Sequence, residues 1–159
     1  MNKFFRVTEP LYLLFLGIGV GAIIACGAFA APVVFNMSKI LGMDSIGTYE
    51  GGIVMGQIFV RLGGYLQFLL IIICIYEIVS FLLLRKNEKY SIFWLILGIV
   101  SVVCIALFVW YYMPFLLNSE NLSDKEHFDK LHTQSRHVSQ ILMCSLSVLF
   151  VWRIYKKML

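Results

Sequence analysis

Leu62-Gly63-Gly64-Tyr65-Leu66-Gln67-Phe68-Leu69-Leu70-Ile71-Ile72-Ile73-Cys74-Ile75-Tyr76-Glu77-Ile78-Val79-Ser80-Phe81-Leu82-Leu83-Leu84 carries a single formal charge and is long enough to cross a bilayer as a helix. Its one acid, Glu77, is costly at such depth unless it is neutral, paired or watered. Glu77 lies eight residues before Arg85, about 12 Å of helix. Three readings are open: a carboxyl hydrogen-bonded to a neighbouring helix, a proton or cation site, or an exposed acid at the interface.

Three more apolar segments surround this one. The first runs from about Leu11 to Phe35, and another from about Ile92 to Leu117. The last is short, since only residues 137–152 between Arg136 and Arg153 are free of formal charge. A crossing needs about 20 residues, so the final helix is expected to start outside the membrane and to take the His132 region as its first turns. The chain of 159 residues is 60% hydrophobic and 14% charged, with a mean hydropathy of +0.87. A soluble domain is nearer 25% charged, so too few polar groups remain to cover a water-facing surface. The expected fold is all-α: one four-helix membrane domain over residues 1–159, with an interfacial segment after the first helix.

The net charge of +4 does not point to nucleic acid. Its bases form short clusters at segment ends: Lys3 and Arg6, then Arg85, Lys86 and Lys89, then Arg153, Lys156 and Lys157. Read as orientation signals, they place both termini in the cytoplasm, with the His132 region outside, in a bacterial inner membrane. Met1-Asn2-Lys3-Phe4-Phe5-Arg6 before an apolar run has the outline of a signal peptide. The run continues uncharged to Ser38 and ends in Pro32-Val33-Val34-Phe35 without a small-x-small exit, so a retained first helix is expected.

Within the first span, Gly17, Gly21, Ala25 and Ala28 form a small-residue stripe at helical spacing, and Pro32 is expected to kink or end the helix. Such a stripe lets another backbone approach closely, as do Gly52 and Gly56 beneath Phe59. Residues 36–61 are expected to give a short interfacial helix or an outer extension of the second span, capped at Asp44 or Ser45. Asn121 or Ser123 is the expected cap ahead of the last helix. Phe108, Trp110, Tyr111, Tyr112 and Phe115 around Pro114 suit an aromatic belt, or else the lining of a pocket. Cys26, Cys74, Cys104 and Cys144 fall one in each apolar segment, away from metal-ligand spacing, and are read as small hydrophobes.

Phe128-Asp129-Lys130-Leu131-His132-Thr133-Gln134-Ser135-Arg136-His137 is the stretch with chemistry of its own. On a helix, His132 and Ser139 share a face, flanked by Ser135 and Arg136, and that face continues to Met143 and Ser147. His127, His132 and His137 are five apart, so none forms the i, i+4 pair of a helical zinc site. One of them is expected to face the bundle, and His132 is favoured. It is read as a structural imidazole, bonded to a loop carbonyl or to an acid such as Glu50, or else as a ligand for haem, metal or substrate. No phosphate loop, dinucleotide motif or catalytic triad is readable. A transport role would need a polar space joining Glu77 to the His132 face.

Phe128-x-x-Leu131-His132-x-x-Ser135 resembles a signature of the DUF4149 family, the transmembrane protein 205-like integral membrane proteins. Pro32-Val33-Val34-Phe35 resembles the end of that family's first helix, and Gly52-Ile53-Val54-Met55-Gly56-x-x-Phe59 its glycine element. Gly51 stands where the family has alanine. Ser139 and Gln140 occupy the neighbourhood of an asparagine near the start of the last helix, so an activity resting on that asparagine is not carried over. The resemblance implies four membrane helices and no defined chemistry; its mammalian member is linked to drug resistance. The architecture is similar, more distantly, to copper-resistance D-type and haem-dependent protoporphyrinogen-oxidase-like membrane proteins.

From all this the expected role is non-enzymatic: a scaffold or partner subunit, or a module handling a small solute or metal. The alternative is a haem- or metal-dependent redox protein using His132. No cofactor is assigned. The candidate functional residues are Glu77, Phe128, His132, Ser135, Arg136 and Ser139, and the candidate packing residues are Gly17, Gly21, Ala25, Gly52 and Gly56. Candidate partners are the lipid bilayer, a second copy or another membrane protein.

Overall fold

Four helices long and apolar enough to cross a bilayer occur in the computed structural model, which describes residues 3–43, 47–84, 92–118 and 125–158. The first span consists of α1 (Lys3–Ile24), a π-helical stretch (Ala25–Ala30) and α2 (Ala31–Phe35). A short helix, α3 (Met37–Leu41), follows it as the interfacial segment, and α4 (Thr48–Leu84) is the second span. The third span joins α5 (Ile92–Ala106), a second π-helical stretch (Leu107–Tyr112) and α6 (Met113–Leu117), and α7 (Lys125–Met158) is the fourth. The expected caps at Asp44, Ser45, Asn121 and Ser123, and the basic turn at residues 85–90, lie outside the described residues.

Both π-helical stretches stand just ahead of a proline, Pro32 in α2 and Pro114 in α6. Proline has no N–H to donate, and its ring crowds the carbonyl one turn back. Widening the preceding turn absorbs that misfit without breaking the helix. The expected kink at Pro32 is thus a widened turn, and the helix ends at Asn36, whose side-chain amide donates to the Pro32 carbonyl at 2.8 Å. α3 stops at Gly42, which adopts the left-handed φ of 64°. There the Met43 N–H donates to the Ser38 carbonyl at 3.1 Å, a glycine-dependent helix stop.

The helices form a ring in chain order, with α1 packed on α4 and α7, and α5 packed on α4 and α7. At one end the Tyr12 hydroxyl meets Glu77 near the end of α4, and Arg153 near the end of α7 lies over the Trp94 ring at the start of α5. At the other end Gly51 approaches Val34 and Phe35, and Gly56 approaches Leu117. Neighbouring spans therefore run antiparallel, and the N-terminal end of α1 and the C-terminal end of α7 share one end of the bundle.

α4 carries one buried and one exposed apolar stripe. Leu62, Leu66, Leu69 and Ile73 are buried inside it, while Ile71, Ile75, Ile78 and Leu82 on the opposite face are each more than half exposed. A helix that is apolar all round suits a bilayer, where the outer stripe meets acyl chains. At 37 residues, or about 55 Å, α4 is longer than the hydrocarbon layer and must tilt or protrude. α7 begins at Lys125 and places His132 in its early turns, as the short final apolar run implied.

Candidate functional site

A cavity of about 570 Å³ opens at the end of the bundle away from the chain termini. Helical spacing builds its wall on α7: Phe128, His132, Ser135, Arg136 and Ser139 all line it, and Gln140 and Met143 continue the face. Gly52, Gly56 and Phe59 line it from α4. Gly27, Ala28 and Phe35 come from the first span, and Phe108, Met113 and Leu117 from the third. The Phe128–Ser135 stretch and the glycine element thus meet in one space, although more than 60 positions separate His132 from Phe59 in the sequence.

The polar wall is unevenly satisfied. Ser135 donates its hydroxyl to the His132 carbonyl at 2.7 Å, and Ser139 donates to the Ser135 carbonyl at 2.9 Å. Both hydroxyl protons are used within the helix, so each oxygen offers only acceptor lone pairs to the cavity. His132 is half-buried and stacks on Phe128, with rings 6.1 Å apart and 5° from parallel. Its ring, the Arg136 guanidinium and the Gln140 amide make no hydrogen bond or ion pair among the described residues. Glu50, one expected partner for His132, instead accepts the Gly47 N–H at 2.7 Å. His127 and His137 are exposed, so His132 is the histidine that reaches the cavity.

Glu77 belongs to a different site. It is buried, and its carboxylate accepts the Tyr12 hydroxyl at 2.8 Å and Arg153 Nη2 at 2.8 Å on both oxygens. The guanidinium lies 4.4 Å from the Trp94 ring centre, 5.0 Å from Tyr76 and 5.3 Å from Tyr12, with Glu9 at 3.9 Å. Aromatic faces stabilise a cation at such distances, most strongly where water is excluded. This arrangement overturns the reading of Glu77 as an exposed interfacial acid. It also corrects the reading of Arg153 as a flanking orientation charge, because Arg153 follows Leu149 by four residues and so continues the buried face of α7.

The two sites are not joined. Leu66 and Leu142 bound the cavity, and beyond them Leu69, Ile73, Leu146 and Leu149 are buried at 1% exposure or less. About 16 Å of α4 separates Leu66 from Glu77. Ser101 and Ser145 bond to each other at 2.9 Å in the buried layer between. The polar space from Glu77 to the His132 face that a transport role would need is therefore absent among the described residues.

Of the small residues expected to pack, Gly56 does so tightly, since a Cβ there would lie 2.8 Å from Leu117 Cδ2. Gly17 makes only ordinary contact with Phe150, and Gly21 and Gly52 face open space. Ala25 is exposed. The closest approach on the first span is instead at Gly19, against Leu69. The aromatic cluster of the third span divides, with Trp110 and Tyr111 outward and Phe108 and Tyr112 inward. The four cysteines are free, and Cys144 is exposed rather than buried because it lies off the inner face of α7. No group of three or more His, Cys, Asp or Glu side chains suited to a metal occurs among the described residues.

Arg153, Tyr12, Trp94 and Gln140 were not among the candidate functional residues read from the sequence. Spacing alone could have placed Arg153 inside, whereas Tyr12 and Trp94 required knowing which helices are neighbours.

A family model described as "Domain of unknown function (DUF4149)" matches residues 14–123, which is more than half of the chain. The match includes Pro32–Phe35 and Gly52–Phe59 and ends before Phe128. No curated protein and no solved structure matches the chain.

Proposed function

The chain belongs to the DUF4149 family, and on that premise we propose that it is a non-enzymatic membrane protein whose cavity binds a small, largely apolar molecule. Finer kinship with transmembrane protein 205, placement in a bacterial inner membrane and cytoplasmic termini are parts of the same proposal. The observation that carries it is the cavity of about 570 Å³, which falls within the roughly 300–1,000 Å³ of small-molecule sites. Its wall is mostly Leu, Ile, Met and Phe, and its few polar groups are gathered on one face of α7. Sites of that composition bind by apolar burial and orient the ligand with a few polar contacts.

The test is extraction of the purified protein and mass spectrometry of what it retains, alongside Gly52→Trp. Gly52 lines the cavity and has nothing within 4 Å of its Cβ position, so a large side chain can start there without displacing a neighbour and take up cavity space. A retained apolar molecule that Gly52→Trp displaces, with thermal unfolding unchanged, supports the proposal. An empty wild-type protein that also fails to take up added apolar probes overturns it. Visible absorbance lost in His132→Ala would favour the redox reading instead.

A second reading, assembly of copies through the first span, is supported by the exposure of Gly21 and Ala25 on its outer face.

A further inference from the structure

Resting on that cavity reading, we infer that the ligand is a single-chain anionic amphiphile, its acyl chain in the cavity and its carboxylate or phosphate head held by Arg136 and Gln140. Three independent observations lead to this class.

The first is charge. Among the described residues, Arg136 is the one permanently charged side chain on the cavity wall, and no acid lines it. Glu50 is engaged with the Gly47 N–H, and Asp129, which shares the helix face, makes no ion pair with Arg136. Beside Arg136, Gln140 offers an amide with no partner among the described residues, and His132 an imidazole. The exposed Arg136 guanidinium has its donors free for a ligand, and its planar fork matches the oxygens of a carboxylate or phosphate. A cationic head would be repelled by Arg136, and a neutral one would not engage its charge.

The second is depth. Arg136 lies seventeen residues before Arg153 on one continuous helix, about 26 Å along its axis. With the Glu77–Arg153 pair just inside one face of a hydrocarbon layer of about 30 Å, Arg136 falls near the other face, where lipid head groups begin. From there Met143, Leu142 and Leu66 lead inward, so a chain attached to a head at Arg136 enters apolar surroundings at once.

The third is size and access. A cavity of about 570 Å³ has room for one acyl chain, on the order of twenty non-hydrogen atoms at about 30 Å³ each. The outer part of the first span packs on α4, while the start of α7 packs on α6 and the adjoining π-helical turn. The gap between the first span and α7 is bordered by the exposed residues Ile24, Gly27 and Ala28 on one side and Arg136 and Gln140 on the other. Entry between these two borders would be from the lipid side, the route an amphiphile uses.

Binding to the full-length protein in nanodiscs tests this with three probes sharing one chain: oleate, oleoyl lysophosphatidate and the neutral oleyl alcohol. Each is measured on wild type, Arg136→Gln, Arg136→Lys and Gly52→Trp. At least one anion should bind about tenfold or more tightly than the alcohol, as a charge-assisted hydrogen bond implies. Arg136→Gln should erase that margin, Arg136→Lys should keep part of it, and Gly52→Trp should abolish binding of every probe. Preference for oleate identifies a free fatty acid as the source, and preference for lysophosphatidate a lipid head group. Equal binding of anion and alcohol, unmoved by Arg136→Gln, overturns the anionic assignment and leaves the cavity reading standing. Failure of all three probes to bind wild type overturns both.

Discussion

Arg153 Nη2 donates to both carboxylate oxygens of Glu77 at 2.8 Å, across 76 positions of sequence and between two helices that face each other across the ring. Each charge alone would be hard to hold inside the bundle. Together, with the Tyr12 hydroxyl on the carboxylate and Trp94 beneath the guanidinium, they form a charge-compensated polar unit within an apolar layer.

Removing one partner should therefore cost far more than removing both. Arg153→Ala or Glu77→Gln should destabilise the protein by about 3 kcal/mol, the lower end for breaking a buried pair. Glu77→Gln should be the worse of the two, because a carboxyl can take up a proton whereas a guanidinium cannot give one up. The double variant Glu77→Leu/Arg153→Met should recover much of the loss. Unfolding in mixed micelles measures all three, and additive single effects would show that the pair is not coupled.

Gly98 reports on the same unit. A Cβ at this position would lie 2.9 Å from Glu77 Cγ, and Glu77 is pinned by both Arg153 and Tyr12. Gly98→Ala should cost about 1–3 kcal/mol by overpacking, despite the better helix propensity of alanine. Combined with Glu77→Gln, the added cost should shrink, since a neutral amide is held less tightly than the carboxylate. A Gly98→Ala protein as stable as wild type would mean that the Glu77 side chain has room to shift.

The membrane fold was legible because it rests on composition and segment length, which are local properties. The α7 face was legible for the same reason: Phe128, His132, Ser135, Arg136 and Ser139 are brought together by helical periodicity alone. The wall opposite was half legible, since the glycine element could be seen but not what it faces. The Glu77–Arg153 pair was not, because Arg153 stands near the end of an apolar run, where a base ordinarily signals orientation. Only the pairing of α4 with α7, a long-range fact, distinguishes an inward arginine from a flanking one.

Gly56 and Gly19 meet neighbours at similar distances, yet their alanine variants should behave in opposite ways. At Gly56 the new Cβ would meet Leu117 Cδ2 at 2.8 Å, but Leu117 is exposed near a helix end and can rotate away. Gly56→Ala should thus be neutral or stabilise by up to about 1 kcal/mol. At Gly19 the clash is 2.7 Å with Leu69, which is fully buried, and Leu146 and Tyr65 each lie 3.7 Å from the same Cβ. Gly19→Ala should cost about 1–3 kcal/mol. Thermal unfolding in one detergent ranks the pair, and equal shifts would refute the distinction between a movable and a fixed neighbour.

Gly21→Leu separates packing within one chain from packing between chains. Gly21 is exposed and nothing lies within 4 Å of a Cβ there, so a larger side chain can point away from its own bundle and should leave monomer stability unchanged or slightly raised. Small residues matter between membrane helices because they let backbones approach, so a leucine here would hold a second copy away. If copies assemble through the first span, cross-linking and light scattering in detergent should register loss of the oligomer in Gly21→Leu, while Gly17→Leu also perturbs the fold through Phe150. An oligomer that survives Gly21→Leu intact would place the contact elsewhere and leave this face to lipid.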